Sequence, residues 1–380
     1  MDRRVGVLLF AAGWGANHFS TLLVVYRREL GLSPAALGIL FGAYALGLVP
    51  GLILAGRASD RWGRRTLVLP ASLVAIAASA ALAFGAHGFG VLMAGRLLYG
   101  LGMGSAMSPG SVWLQELSPP GTGARRATLA LSAGFGLGPL VAGVLAEFVP
   151  APMVLPYLVH IVVMTGALVG ARAGPETATR GRSFSTAAAP RVRPRDLAVL
   201  VELLPVAPWA FGLAAVTLAV VPGLMRPLVA RPALYSGALI LVTLAAGVLV
   251  QPYVKRIGRR ADWLGLAAGS AGILLAARVV ASRSPALAFL AAPLVGVGYG
   301  LVMTSGLAEV AARVPAQARG SAVGIYYVLT YVGFSVPFIH ATVAKTWGDV
   351  KTLELAAGAA FLCLIARVLV TVKQPASPAP

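Results

Sequence analysis

Gly56-Arg57-Ala58-Ser59-Asp60-Arg61-Trp62-Gly63-Arg64-Arg65 is a short basic turn, and a worn copy returns as Gln251-Pro252-Tyr253-Val254-Lys255-Arg256-Ile257-Gly258-Arg259-Arg260. Each copy follows an apolar run and precedes another. A helix needs about 20 mostly apolar residues to cross a bilayer, and these runs are long enough, so each basic turn reads as a loop at a membrane surface. Its return at an offset of about 195 residues, near half the chain, marks a duplicated membrane bundle. A similar offset relates Gly100-Leu101-Gly102-Met103-Gly104 to Gly296-Val297-Gly298-Tyr299-Gly300. These glycine rows look like fragments of a dinucleotide loop, but no strand precedes them and no acidic ribose partner follows. Inside apolar helices they let backbones approach closely.

Composition agrees with a membrane location. The chain has 380 residues, 58% hydrophobic and 11% charged, where a soluble protein carries about 25% charged residues. A formal charge of +19 would suit nucleic acid if it lined one face. Here the basic residues sit in short turns between apolar runs, so they read as orientation signals and no nucleic acid partner is expected. Cys363 is alone in the last apolar run and the four histidines are scattered. That leaves no disulfide framework, and no metal or cofactor is expected. The first run, 5–26, is too long for a signal-peptide core and reads as the first span.

The apolar runs fall at 5–26, 35–55, 66–84, 89–113, 127–148 and 152–169, then at 203–225, 233–254, 263–280, 285–311, 320–343 and 353–371. The expectation is an all-α membrane protein of twelve transmembrane helices in two pseudo-symmetric six-helix bundles, residues 1–171 and 196–380. Residues 172–195, rich in Arg, Pro, Ser and Thr, read as a flexible basic linker. Residues 197–202 either extend the seventh helix or lie along the membrane surface. Arginine is concentrated on one face, at Arg3, Arg4, Arg57, Arg61, Arg64, Arg65, Arg125, Arg126 and the linker. That bias expects a multi-pass cell-membrane protein with both termini in the cytoplasm.

With these residues in place, the chain resembles the major facilitator superfamily. Gly56-x-x-x-Asp60-Arg61-x-Gly63-Arg64-Arg65 matches the family's motif A. In the family the aspartate meets the N-terminus of the eleventh helix, here near 318–321, and latches the cytoplasmic gate. The second copy carries Gln251 for the glycine and Lys255 for the aspartate, so its latch should be weak or missing. Arg96 with Gly100 and Gly102 matches motif B, whose arginine serves proton coupling in the family. An unpaired arginine at that depth costs several kcal/mol, so it must face a cavity or a partner. Gly134, Gly138, Pro139 and Gly143 resemble motif C, with Ala142 where a glycine is usual. That motif implies the drug:proton antiporter branch.

The resemblance implies alternating access with a substrate site between the bundles. The leading expectation is proton-coupled efflux of apolar or amphipathic small molecules. Uptake of a small organic solute and a non-transporting receptor or assembly subunit are the rival readings. An enzyme is the least expected reading, because no nucleophile–base–orienter set, metal cluster or phosphate loop appears. Proton-coupling candidates are Arg96, Glu147 and His18, with Arg96 and Glu147 a possible pair on adjacent helices. His160 and His340 could also titrate near neutral pH. Cavity candidates are Asn17, His18, Tyr44, Trp209, Tyr327 and Tyr331. Expected partners are a small-molecule substrate, protons and the lipid bilayer, with the chain a monomer.

Overall fold

A computed structural model describes residues 2–177 and 194–372, without the side chains of residues 2, 56, 57, 60, 194–197, 259, 316, 317, 319–321, 371 and 372. The first half comprises α1 (Asp2–Leu30), α2 (Pro34–Trp62), α3 (Arg64–Ala83), α4 (Phe89–Leu117), α5 (Gly123–Phe148) and α6 (Leu155–Ala171). A short helix α7 (Pro194–Leu203) opens the second half. The next membrane passage is α8 (Ala207–Ala215), a π-helical turn at Val216–Val220, and α9 (Val221–Met225). Then come α10 (Pro232–Val250), α11 (Val254–Ile257), α12 (Ala261–Ala281), α13 (Ala288–Arg313), α14 (Ala316–Tyr331), α15 (Val336–Trp347) and α16 (Asp349–Val372). Among the described residues 10 helical stretches are long and apolar enough to cross a bilayer. Phe89–Leu117 and the shorter Leu155–Ala171 complete the twelve passages.

Local sequence sets the ends. Ser33 caps α2 by accepting from the Ala36 N–H at 3.2 Å, with Pro34 in the first turn, where its missing donor costs nothing. Gly63 ends α2 at φ 105°, a conformation that only glycine adopts freely. Residues 204–206 form a turn around Pro205 between α7 and α8. Val199, Leu200 and Leu203 of α7 pack with Val310, Val314 and Ala322. Residues 197–202 thus belong to a separate short helix that leads into the seventh passage.

Duplication is visible in how α4 and α13 pack. A Cβ on Gly100 would collide with the Tyr44 carbonyl of α2, and one on Gly102 would sit 3.0 Å from the Ala71 oxygen of α3. In the second half, Gly296 meets Thr243 of α10 in the same way, and a Cβ on Gly298 would lie 2.8 Å from the Gly265 oxygen of α12. Each glycine row therefore wedges one helix between two others, a close packing that dispersion favours in lipid. Large apolar side chains point outward, with Leu46 at 72% and Leu249 at 71% exposure. That pattern suits a surface solvated by hydrocarbon.

Candidate transport pathway

The two halves touch most closely along two crossings, α5 with α10 and α2 with α15. The α5 crossing is built by the motif C residues. A Cβ on Gly138 would lie 2.7 Å from the Trp14 oxygen, which seats α5 on α1. Pro139 presents its carbonyl to Thr21, whose hydroxyl donates at 3.0 Å. The other face of α5 meets the second half. A Cβ on Gly143 would come 2.5 Å from the Ala233 oxygen, and one on Gly237 2.5 Å from the Pro139 oxygen. One turn beyond, Glu147 accepts the Ala233 N–H at 2.6 Å, so its carboxylate meets the positive N-terminal end of α10. Across the molecule, Gly38 of α2 packs on the backbone of Pro337 and Phe338. Both crossings lie on the face opposite the basic turns and close that side.

A cavity of about 300 Å³ sits outside this closure, between α1, α2, α9 and α15. Leu23, Leu37 and Pro337 form apolar walls, while Arg27, Lys345 and Asp349 supply charge. Asp349 faces His340 at 3.8 Å.

Deeper between the halves lies a cluster of aromatic rings. Phe211 stacks on Tyr331 at 4.7 Å and packs against Phe334 at 5.0 Å and Tyr299 at 5.9 Å. Phe41 joins at 4.9 Å from Phe334, and Tyr44 at 6.3 Å. The 3-10 turn Val332–Ser335 between α14 and α15 places Phe334 there. It forms where Gly333 packs tightly on Gly212 and Pro208 of α8.

Behind Tyr44 is Arg96, 2% exposed. Its Nε donates to the Leu40 oxygen at 3.1 Å, one Nη to Phe41 at 3.1 Å and the other to Ala16 at 3.5 Å. Its guanidinium also lies 4.3 Å from the Phe19 ring and 4.8 Å from Tyr44. A polar cluster adjoins it within the first half. His160 donates from Nε2 to the Ala11 oxygen at 3.1 Å, while Nδ1 pairs with the Ser79 hydroxyl at 2.8 Å. His18 packs on Tyr157 at 4.8 Å and on His160 at 5.3 Å. It is fully buried, and neither ring nitrogen has a hydrogen-bond partner among the described residues.

At the basic face each half is tied by its own charges. Glu176 accepts from the N–H groups of Arg64 and Thr66 at 2.8 and 3.3 Å, capping α3 from a distant part of the chain. Arg65 donates to the Arg172 carbonyl at 2.8 Å, and Trp113 to that of Pro175 at 2.8 Å. The Thr177 hydroxyl donates to Glu116. In the second half Arg367 donates to Asp262 at 2.6 Å and to Glu309. Arg313 bridges Glu309 and Glu202 at 2.6 and 2.5 Å.

These positions sort the expected residues. Tyr44, Tyr327 and Tyr331 do come together with the aromatic rings. Trp209 does not; it packs half-buried against the apolar clusters of its own half. Asn17 turns to α5, donating to the Phe135 oxygen at 3.5 Å, whereas His18 turns into the first half. Arg96 and Glu147 are not a pair, because carbonyls and rings hold the first and the α10 N-terminus holds the second. Residues 172–177 are not a loose tether: they are strapped across α3 and α4. The expected Asp60 latch rests on side chains outside the described residues. Phe41, Phe211 and Phe334 were missed by sequence reading, although Tyr327, Tyr331 and Phe334 share the i, i+4, i+7 spacing of one helical face. Glu176, Asp262 and Arg367 were missed too, since nothing local announces partners a hundred residues away.

Two pseudo-symmetric bundles enclosing such a pathway define the carrier class of membrane transporter. The model of the Major Facilitator Superfamily matches residues 5–336, and the chain belongs to this family of transporters, which are not enzymes. It is 28% identical over 153 residues to the quinolone resistance protein NorA of Staphylococcus aureus, covering 39% of each chain. It is 32% identical over 115 residues to the probable metabolite transport protein CsbC of Bacillus subtilis, covering 30% of this chain and 24% of that protein. The matched stretches are thus well under half of those relatives' lengths. Among solved structures, a point mutant of the nucleoside transporter NupG superposes with a TM-score of 0.79 at 12% identity, over 97% of this chain and 99% of that one. The POT family transporter PepTSo does so at 0.78 and 15%, over 98% of both.

Proposed function

We propose that this protein exports apolar or amphipathic small molecules in exchange for protons, by alternating access between halves 1–171 and 196–380. The basic face is cytoplasmic in this reading, and residues 172–195 link the moving bodies. The observation that carries it is the motif C seam. Gly143, Pro139 and Gly237 bring α5 and α10 into backbone contact and close the opposite face, leaving aromatic rings to receive a substrate from the basic side. The similarity to NorA, a quinolone resistance protein, over its matched stretch supports a drug-like cargo.

His18 is the proton carrier in this scheme. The chain's carboxylates stand near span ends, so the span interior offers histidine and tyrosine as titratable groups beside Arg96. Around His18 these are His160, Tyr157, Tyr99, Tyr26 and Arg96. Arg96, bonded to Ala16 two residues away, sets the electrostatic balance of the cluster. The test uses proteoliposomes and a neutral fluorescent amine, N-phenyl-1-naphthylamine. Export should require the proton gradient and collapse with it, and His18→Gln should leave only gradient-independent leakage. Export that survives an uncoupler, or full coupling in His18→Gln, would overturn the respective part. A second reading is uptake of a small organic solute, the match to CsbC, a probable metabolite transport protein, pointing to a metabolite as cargo and to neither direction. Accumulation inside vesicles under the same gradient would establish uptake instead.

A further inference from the structure

We infer that the substrate is an aromatic amphiphile carrying a single negative charge, and that fixed cations are excluded. The inference rests on the export reading and narrows its substrate class. Its first support is the placement of charge. Each of the 12 acidic residues lies within the first or last two turns of a helix or in a loop. Of those near the basic face, Asp262, Glu309 and Glu202 are engaged by Arg367 and Arg313, and Glu116 and Glu176 by the α3–α4 strap. Among the described residues no carboxylate therefore faces the aromatic cluster. A lipophilic cation passing between the halves would find no counter-charge to replace its hydration.

The second support is what the cluster does contain. Arg96 stands behind Tyr44 and has backbone carbonyls and ring faces as partners, with no carboxylate among the described residues. Its charge is formally uncompensated in a region of low dielectric, where a fixed charge acts over a longer range than in water. An anion beside Tyr44 completes that balance and a cation worsens it.

The aromatic rings argue the other way at first sight, because rings attract cations through their faces. Here several of those faces are already used. Phe211 stacks on Tyr331 and packs against Phe334, while Arg96 occupies the faces of Phe19 and Tyr44. What remains open is the half-buried surface of Phe211, Tyr299 and Tyr327, which suits an aromatic body. The cavity on the opposite face agrees. It holds Arg27 and Lys345 against one carboxylate, Asp349, and that carboxylate faces His340. A released anion thus meets a second basic site on its way out.

The experiment compares three probes with one naphthalene body: 2-naphthylacetate, 2-(2-naphthyl)ethanol and (2-naphthylmethyl)trimethylammonium. Each is offered to proteoliposomes under the same proton gradient, and its stabilisation of the detergent-solubilised carrier is read as a melting shift. The acid should be moved at least about tenfold faster than the ammonium and should raise the melting temperature, which the ammonium should not. Read as the melting shift, which does not depend on transport, Arg96→Gln should erase the preference, and Arg96→Lys should retain it if the variant folds. Lys345→Gln, at the rim, should weaken stabilisation by the acid without loss of fold. Movement of the ammonium at a rate equal to the acid overturns the inference and leaves export standing. Movement of none of the three by folded protein fails the export reading itself, and this inference with it.

Discussion

Arg96 shows how one residue can hold a bundle and serve it. Its guanidinium ties α4 to the carbonyls of α1 and α2, and a hydrogen bond to a charged group contributes about 1.5–3 kcal/mol when buried. Arg96→Ala is therefore expected both to abolish gradient-driven export and to lower the melting temperature. Arg96→Lys should recover part of the melting loss. Thermal unfolding followed in detergent, beside a transport assay, separates the two effects. Gly63 is a second such residue. It holds φ 105°, and a Cβ there would collide with the Glu176 carboxylate. Gly63→Ala should cost about 1–3 kcal/mol from backbone strain alone. Glu176→Ala should cost less, near the ~1 kcal/mol typical of a lost cap, and equal melting losses would contradict this account of the turn. Gly63 was legible in the sequence as a turn glycine. Glu176 was not, because a carboxylate capping a helix more than a hundred residues away leaves no local trace.

Among the elements, α5 carries the most specific prediction. Gly138 and Pro139 seat it on α1, while Gly143 and Glu147 press it on α10 across the halves. A branched side chain at 143 cannot fit 2.5 Å from the Ala233 oxygen without parting the helices. Gly143→Val should hold the seam open, and export should fall at least about tenfold while the protein still inserts. The check is a single cysteine at Leu37, beside the cavity on the opposite face. Its labelling by a membrane-impermeant maleimide should speed up in the Gly143→Val background, and an unchanged rate would contradict the seam's role. Glu147→Ala should act in the same direction more weakly, since a charge at a helix N-terminus is worth about 0.3–1 kcal/mol. The sequence marked α5 as a packing helix through its small residues. Which of those faced α1 and which faced α10 depended on how α5 is rotated, and that only the packed bundle fixes.

For the whole molecule, the duplication makes a topological prediction. Single cysteines at Arg64 and at Arg256 should label from the same side of the membrane, and that side should be the cytoplasm. Labelling from opposite sides would contradict both the duplication and the proposed orientation. The sequence alone determined that the chain is helical, embedded in lipid and built twice. Apolar length, glycine rows and the returning basic turn are one-dimensional signals that the bilayer's thickness and polarity read directly. Tertiary structure decided the rest. It sent His18 into the first half and Asn17 towards α5, although they are neighbours in sequence. It surrounded Arg96 with carbonyls and rings, gave Glu147 to a helix terminus, and gathered Phe41, Phe211 and Phe334 from three separate elements. Such meetings depend on helix rotation and on contacts far apart in the chain, and no local pattern encodes either one.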